Sequence, residues 1–109
     1  MTAYEKIIQL LKPLDIPVVR SIYKGDSQSY CIISVYKQIE FNTFDNVAKN
    51  ELAMLKVTYW RTPKEKDLTS TIKFLLQGSG FRFMYKTNLI DGEMIGNALD
   101  FQVLLKVED

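Results

Sequence analysis

A chain of 109 residues, 47% apolar and 25% charged, is long enough for one domain with a single modest core, and its composition is that of a folded protein rather than a disordered one. A net charge of +1 gives no concentrated positive field of the kind that draws nucleic acid or an acidic membrane. One cysteine excludes an internal disulfide, and the lack of any histidine removes the commonest metal ligand and the commonest neutral-pH base.

From the first residues, Thr2-Ala3-Tyr4-Glu5 has the spacing of a capping box. Tyr4, Ile7, Ile8 and Leu11 follow at the spacing of one helical face, and Pro13 and Pro17 end the helix. The opening MTAYEKIIQLLK has no basic segment leading into an apolar one, so no signal peptide is expected. No apolar run approaches the roughly 20 residues of a membrane span. The chain is expected to stay in the cytosol where it is made.

A short extended run over 18–23 leads to a turn at Lys24-Gly25-Asp26-Ser27. The continuous apolar and β-branched run over 30–36 predicts a strand covered on both faces, with Cys31 in it as a small buried hydrophobe. The next stretch, QIEFNTFDNVAKNE, has no clear period and reads as a long loop or a strand extension. Residues 51–60 form a strand with Ala53, Leu55, Val57 and Tyr59 on its core face. Its other face, Leu52, Met54, Lys56, Thr58 and Trp60, is only partly polar.

Thr62-Pro63-Lys64-Glu65 is a second capping-box pattern, with Pro63 at the first helical position. Leu68, Ile72, Leu75 and Leu76 keep helical spacing, and Gly78 falls where a left-handed C-cap wants glycine. Gly80 then frees the backbone to enter a strand over 81–87, in which Phe81, Phe83 and Tyr85 share a face. The glycines of QGSGF follow a helix and precede a strand. A phosphate-binding loop has the reverse order, so this is a helix stop.

Asp91-Gly92 signals a tight turn. Over 99–107, Leu99, Phe101, Val103, Leu105 and Val107 alternate with Asp100, Gln102 and Lys106, and only Leu104 breaks the polar face. The elements predict an α+β fold: a mainly antiparallel β-sheet with two α-helices packed on one face, in the order α-β-β-β-α-β-β.

The chemistry for catalysis is thin. A Cys-His pair and a zinc site of the usual ligands are both excluded. Asp91 with Glu93 fits a turn, and Glu65 with Asp67 fits a helix start. No catalytic, metal-binding or cofactor-binding residue is expected, and no cofactor. Aromatic and basic residues share the strands, as in sheets that stack single-stranded nucleic acid. However, no RNP-like motif or excess positive charge accompanies them. What stands out is apolar surface for protein association, at Leu52, Met54 and Trp60, at Leu104, and in the aromatic segment 41–44.

The ordered set of helix, LKPLDIPVVRSIYKG, tyrosine-ended strand, LKVTYW, TPKEKDL and GSGF resembles a family of small tail components of long-tailed phages and prophages. It is similar in organisation to the tail-terminator and tail-completion proteins. The resemblance implies a non-catalytic subunit that forms a ring, six-fold in the family, on the last ring of the tail tube. The implied partners are itself, the tail tube protein and the head–tail connector, and the implied location is the head-proximal end of the virion tail. A head–tail joining or neck protein at the same junction is the nearest alternative, and a small regulatory binding module comes next. Two contact patches are expected: Phe41, Phe44 and Asp45 in the long middle segment, and the turn 91–96 with Asp91 and Glu93. Leu104 adds exposed apolar area.

Overall fold

The computed structural model describes residues 2–42 and 49–107. The elements run α1 (Ala3–Leu11), a single 3-10 turn (Lys12–Leu14), β1 (Val18–Arg20), β2 (Ser29–Asn42), β3 (Lys49–Arg61), α2 (Thr69–Gln77), β4 (Arg82–Asp91) and β5 (Met94–Val107). The sheet order is β1-β2-β3-β5-β4. β1 runs parallel to β2, and every other pairing is antiparallel. The α+β class and the element order are those the sequence predicts.

The capping box at α1 forms as expected. Thr2 Oγ1 accepts from the Glu5 amide at 3.2 Å, and Glu5 Oε1 accepts from the Thr2 amide at 3.3 Å. Ala3, Ile7 and Leu11 of α1 and Ile72 and Leu76 of α2 are buried together against Cys31, Ile33, Ala53, Leu55, Val57, Tyr59, Leu99, Phe101 and Val103. All these strand residues lie on one face of the sheet, so both helices cover the same side. Each large apolar side chain buried there contributes about 1.5–3 kcal/mol.

Several expectations are corrected. The strand expected over 30–36 is longer, because the extension reading of the following segment is the one that holds as far as Asn42. Nor is it covered on both faces: Cys31 and Ile33 are buried, but Ser34 and Tyr36 are exposed. β1 stops at Arg20 because Ser21 turns to φ 66°, a left-handed conformation that breaks a strand.

The second helix starts at Thr69, well after Pro63. Residues 62–65 form a turn closed by the Glu65 amide donating to the Thr62 carbonyl at 3.1 Å. Proline at the second position of a turn satisfies its fixed φ as well as a helix start does. The Tyr59 hydroxyl then holds the Lys66 carbonyl at 2.8 Å, and Asp67 Oδ1 accepts from the Thr69 amide at 3.0 Å. At the other end Gly78 stays right-handed, with φ −65°, and Gly80 takes the left-handed conformation at φ 92°. The Phe81 amide reaches the Leu76 carbonyl and the Gly80 amide the Gln77 carbonyl, a Schellman ending two residues later than expected.

Two predictions follow from local geometry. Gly96 lies opposite Trp60, whose ring carbons a Cβ would meet at 2.7 Å. Gly96→Ala should therefore lower stability by about 1–3 kcal/mol in urea unfolding, with Trp60→Leu restoring much of it. Equal stability of wild type and Gly96→Ala would contradict this packing.

The Asp67 carboxyl is held below its usual range, first by the Thr69 hydroxyl, then by the Thr69 amide, with Arg61 adding to it. A lowered folded value means stabilisation above the unfolded carboxylate pKa of about 3.9, lost as pH falls through the folded value. Asp67→Ala should cost about 1 kcal/mol at pH 7, and the gap to wild type should close on acidification below pH ~4. A gap that persists unchanged in acid would count against the bonds from Asp67 to Thr69.

Candidate functional site: the uncovered face and the two ends of the sheet

With both helices on one side, the opposite face of the sheet carries no covering element among the described residues. Strand alternation places Leu52, Met54, Lys56, Thr58 and Trp60 of β3 there. Beside them on β5 are Gly96, Ala98, Asp100, Gln102 and Leu104. Gly96, Ala98 and Asp100 are small and flanked by larger side chains, so they form the buried floor of this otherwise open face.

Two β-bulges shape the middle of the face. One falls in β2 between Val35 and Lys37, the other in β4 between Phe83 and Tyr85. They abut the same cross-strand row, Val35–Leu55–Phe101–Phe83, one on each side of it. A bulge shifts the alternation of side chains by one. The expected common face of Phe81, Phe83 and Tyr85 is thereby corrected: Phe81 is buried and Phe83 half-buried against Phe101, while Tyr85 turns to the open face in register with Asp100.

Tyr36, the extra residue of the other bulge, donates its hydroxyl to Asp100 Oδ1 at 2.9 Å. Desolvation of that hydroxyl, and then its bond to Asp100, pushes the phenol up to about 12. As whole residues Tyr36 and Tyr85 remain 51% and 56% exposed. Asp100, expected on a solvated polar face, is only 1% exposed, and no described residue hydrogen-bonds its Oδ2. Sequence reading missed this constellation. Asp100 looked like one polar member of a clean alternation, and neither bulge leaves a glycine or proline signal.

The described residues among those singled out from the sequence lie at opposite ends of the sheet. Asp91 and Glu93 are exposed at the β4–β5 turn, where Gly92 takes φ 62° and Glu93 does not, the pattern of a II′ hairpin. That turn meets the 62–64 turn across a cleft of about 510 Å³, lined in part by Pro63, Glu93, Met94 and Ile95. Ile90 stands 81% exposed at its rim.

At the far end Leu104 is 59% exposed and sits in a cross-strand row with half-buried Leu52 and exposed Ile39. Phe41 continues β2 in register with Asn50, one residue pair beyond that row's neighbour. Phe44 and Asp45 lie outside the described residues. About ten residues of β5 separate the two ends, roughly 33 Å at strand rise, within a molecule whose described residues measure 53 × 24 × 23 Å.

Both sheet edges are open for much of their length. β1 pairs with β2 only at residues 31–33, so among the described residues the rest of β2 has no strand on that side. There the Val35 amide donates to the Tyr4 hydroxyl at 3.0 Å, and Arg20 lies over the Tyr4 ring at 4.0 Å. β4 forms the other edge, with exposed Arg82 and Lys86. Cys31 is buried, and desolvation pushes its thiol up to about 12, which removes it as a nucleophile at neutral pH. No group of three metal-binding side chains occurs among the described residues.

No protein-family model matches the sequence, and no curated protein matches it. Among solved structures, the fold is similar to a chain of the virion of a native gene transfer agent particle. The TM-score is 0.59 at 10% identity, and the alignment covers 96% of this chain and 92% of that one. At that identity the likeness is one of fold alone, and it extends over nearly the whole chain.

Proposed function

We propose that the chain is a non-catalytic structural subunit of a phage-like particle, which closes into a ring at the head-proximal end of the tail, ends the tube and meets the head connector. The observation that carries this reading is the near end-to-end fold likeness to a chain from a gene transfer agent virion. The order of motifs, from the capped first helix to GSGF and the final alternating strand, supports the same reading.

The geometry suits such a subunit. A ring is made by a head-to-tail contact, which needs two different patches on each copy. Leu104, in its row with Leu52 and Ile39, supplies one at one end of the sheet, and Phe41, Phe44 and Asp45 are the sequence candidates assigned to the same contact. Asp91 and Glu93 beside the cleft supply the other. Open strand edges at β2 and β4 offer backbone pairing to neighbours, and the bulges and lysines along them restrain indiscriminate pairing. In this reading the tube protein and the connector occupy the two ends of the ring. The protein works by shape and contact, and needs no cofactor.

Light-scattering mass of the purified protein over a wide concentration range tests the subunit reading. A discrete closed oligomer near six copies is the expected result, and Phe41→Ser with Phe44→Ser should weaken it at least tenfold. A dimer that resists dilution would overturn the ring, and an unchanged oligomer in the double variant would overturn the patch.

A further inference from the structure

Charge is unevenly divided over the open face. The cross-strand row Lys37–Met54–Gln102–Arg82 carries a cation at each end. Lys56 lies in the row on one side of it, and aliphatic Ile39, Leu52 and Leu104 form the row on the other. The only acid in these three rows is Asp100, which is buried and already bonded to Tyr36. Lys37 and Arg82 are exposed, and neither is in an ion pair among the described residues. The nearby acids Glu40 and Glu51 face each other across β2 and β3, but alternation places them on the helix side. This part of the face fits a partner that carries carboxylates beside an apolar side chain.

The β4–β5 turn has that chemistry. Asp91 and Glu93 are exposed on either side of Gly92, and neither is in an ion pair among the described residues. Ile90, next to them, stands out into solvent. The rigid strand from Met94, beside the turn, to Gln102 separates the turn from the cationic row by roughly 27 Å at strand rise. A copy therefore cannot lay its own turn on its own row.

We propose that the β4–β5 turn of one copy seats on the row Lys37–Met54–Gln102–Arg82 of the next, as the head-to-tail contact of the ring. Asp91 and Glu93 meet Lys37 and Arg82, and Ile90 meets the aliphatic row beside them. The two cations stand roughly 14 Å apart across three strand spacings. Their long, flexible side chains close on a turn that rests over Met54 and Gln102. Other contacts between copies are opposed by charge. Face to face, Lys37, Lys56 and Arg82 would meet their own kind in a two-fold contact, and turn to turn Asp91 and Glu93 would do the same. Only the pairing of unlike patches keeps opposite charges together, and it is the kind a ring requires. That the partner is a second copy rests on the ring reading above, whereas the charge pattern rests on the fold.

The test is charge reversal followed by mixing, read as light-scattering mass. Asp91→Lys with Glu93→Lys reverses the turn, and Lys37→Glu with Arg82→Glu reverses the row. All four side chains are exposed, so both variants should keep the fold, which circular dichroism checks. Each alone should weaken self-association about tenfold or more, because like charges then meet at every contact. The neutral variant Lys37→Gln with Arg82→Gln should fall between its reversal and wild type. Mixed one to one, the two reversals should regain the wild-type mass, since each turn then finds a row of opposite charge. Undiminished association in either reversal, or a mixture no heavier than its parts, would overturn the contact, and a closed wild-type oligomer would still support the ring. A mixture that associates without closing into a discrete ring would keep the contact and contradict the ring. Wild type and mixture both monomeric at every concentration would overturn the two together.

Discussion

The packing of two short helices against one face of β3 and β5 is the constraint on which the rest of the molecule depends. Helices of nine residues are marginal on their own, and they hold here because Ile7, Leu11, Ile72 and Leu76 find Leu55, Val57, Leu99 and Phe101 beneath them. Two helices are enough to cover one side of a five-stranded sheet. The other side is left to small residues on β5 and to larger flanking side chains from β3 and β4. Helix placement therefore determines that the protein has one face closed for stability and one face that no described element covers.

The second consequence is length. β2, β3 and β5 run well past the short edge strand β1, so the molecule has two ends of different character. One is a tight turn beside a cleft with charged and apolar walls. The other is a broad three-stranded end with an exposed aliphatic row. A subunit with unlike ends and an open flank can join neighbours in more than one direction, which an assembly protein must do and an isolated binding module need not. Free edges would also invite aggregation, and the bulges and the Tyr4 bond to the Val35 amide oppose it.

Much of this was legible in the sequence because periodicity reports burial on one face. Ala53, Leu55, Val57 and Tyr59 are the core of β3 as read, and Leu99, Phe101 and Val103 that of β5. The capping box at Thr2 and the turn at Asp91-Gly92 are local chemistry, and both form. What escaped depends on tertiary context. Thr62–Glu65 satisfies a turn and a helix start equally, and contacts from Tyr59 and Asp67 decide between them. Gly78 and Gly80 are both able to end a helix, and the longer Schellman closure selects the second. The bulges at Tyr36 and Met84 leave no signal, and each moves a side chain to the opposite face. Hence Tyr85, misplaced by strict alternation, stands on the open face beside Asp100, whose face alternation gives and whose burial it does not.

The most direct measurement is electron microscopy of particles made with and without this chain in the host that carries its gene. If the chain ends the tail tube, its loss should give tails of overlong and variable length that fail to join heads, and supplying the protein in trans should restore a single tail length. Particles of normal tail length with heads attached, made in its absence, would contradict the account.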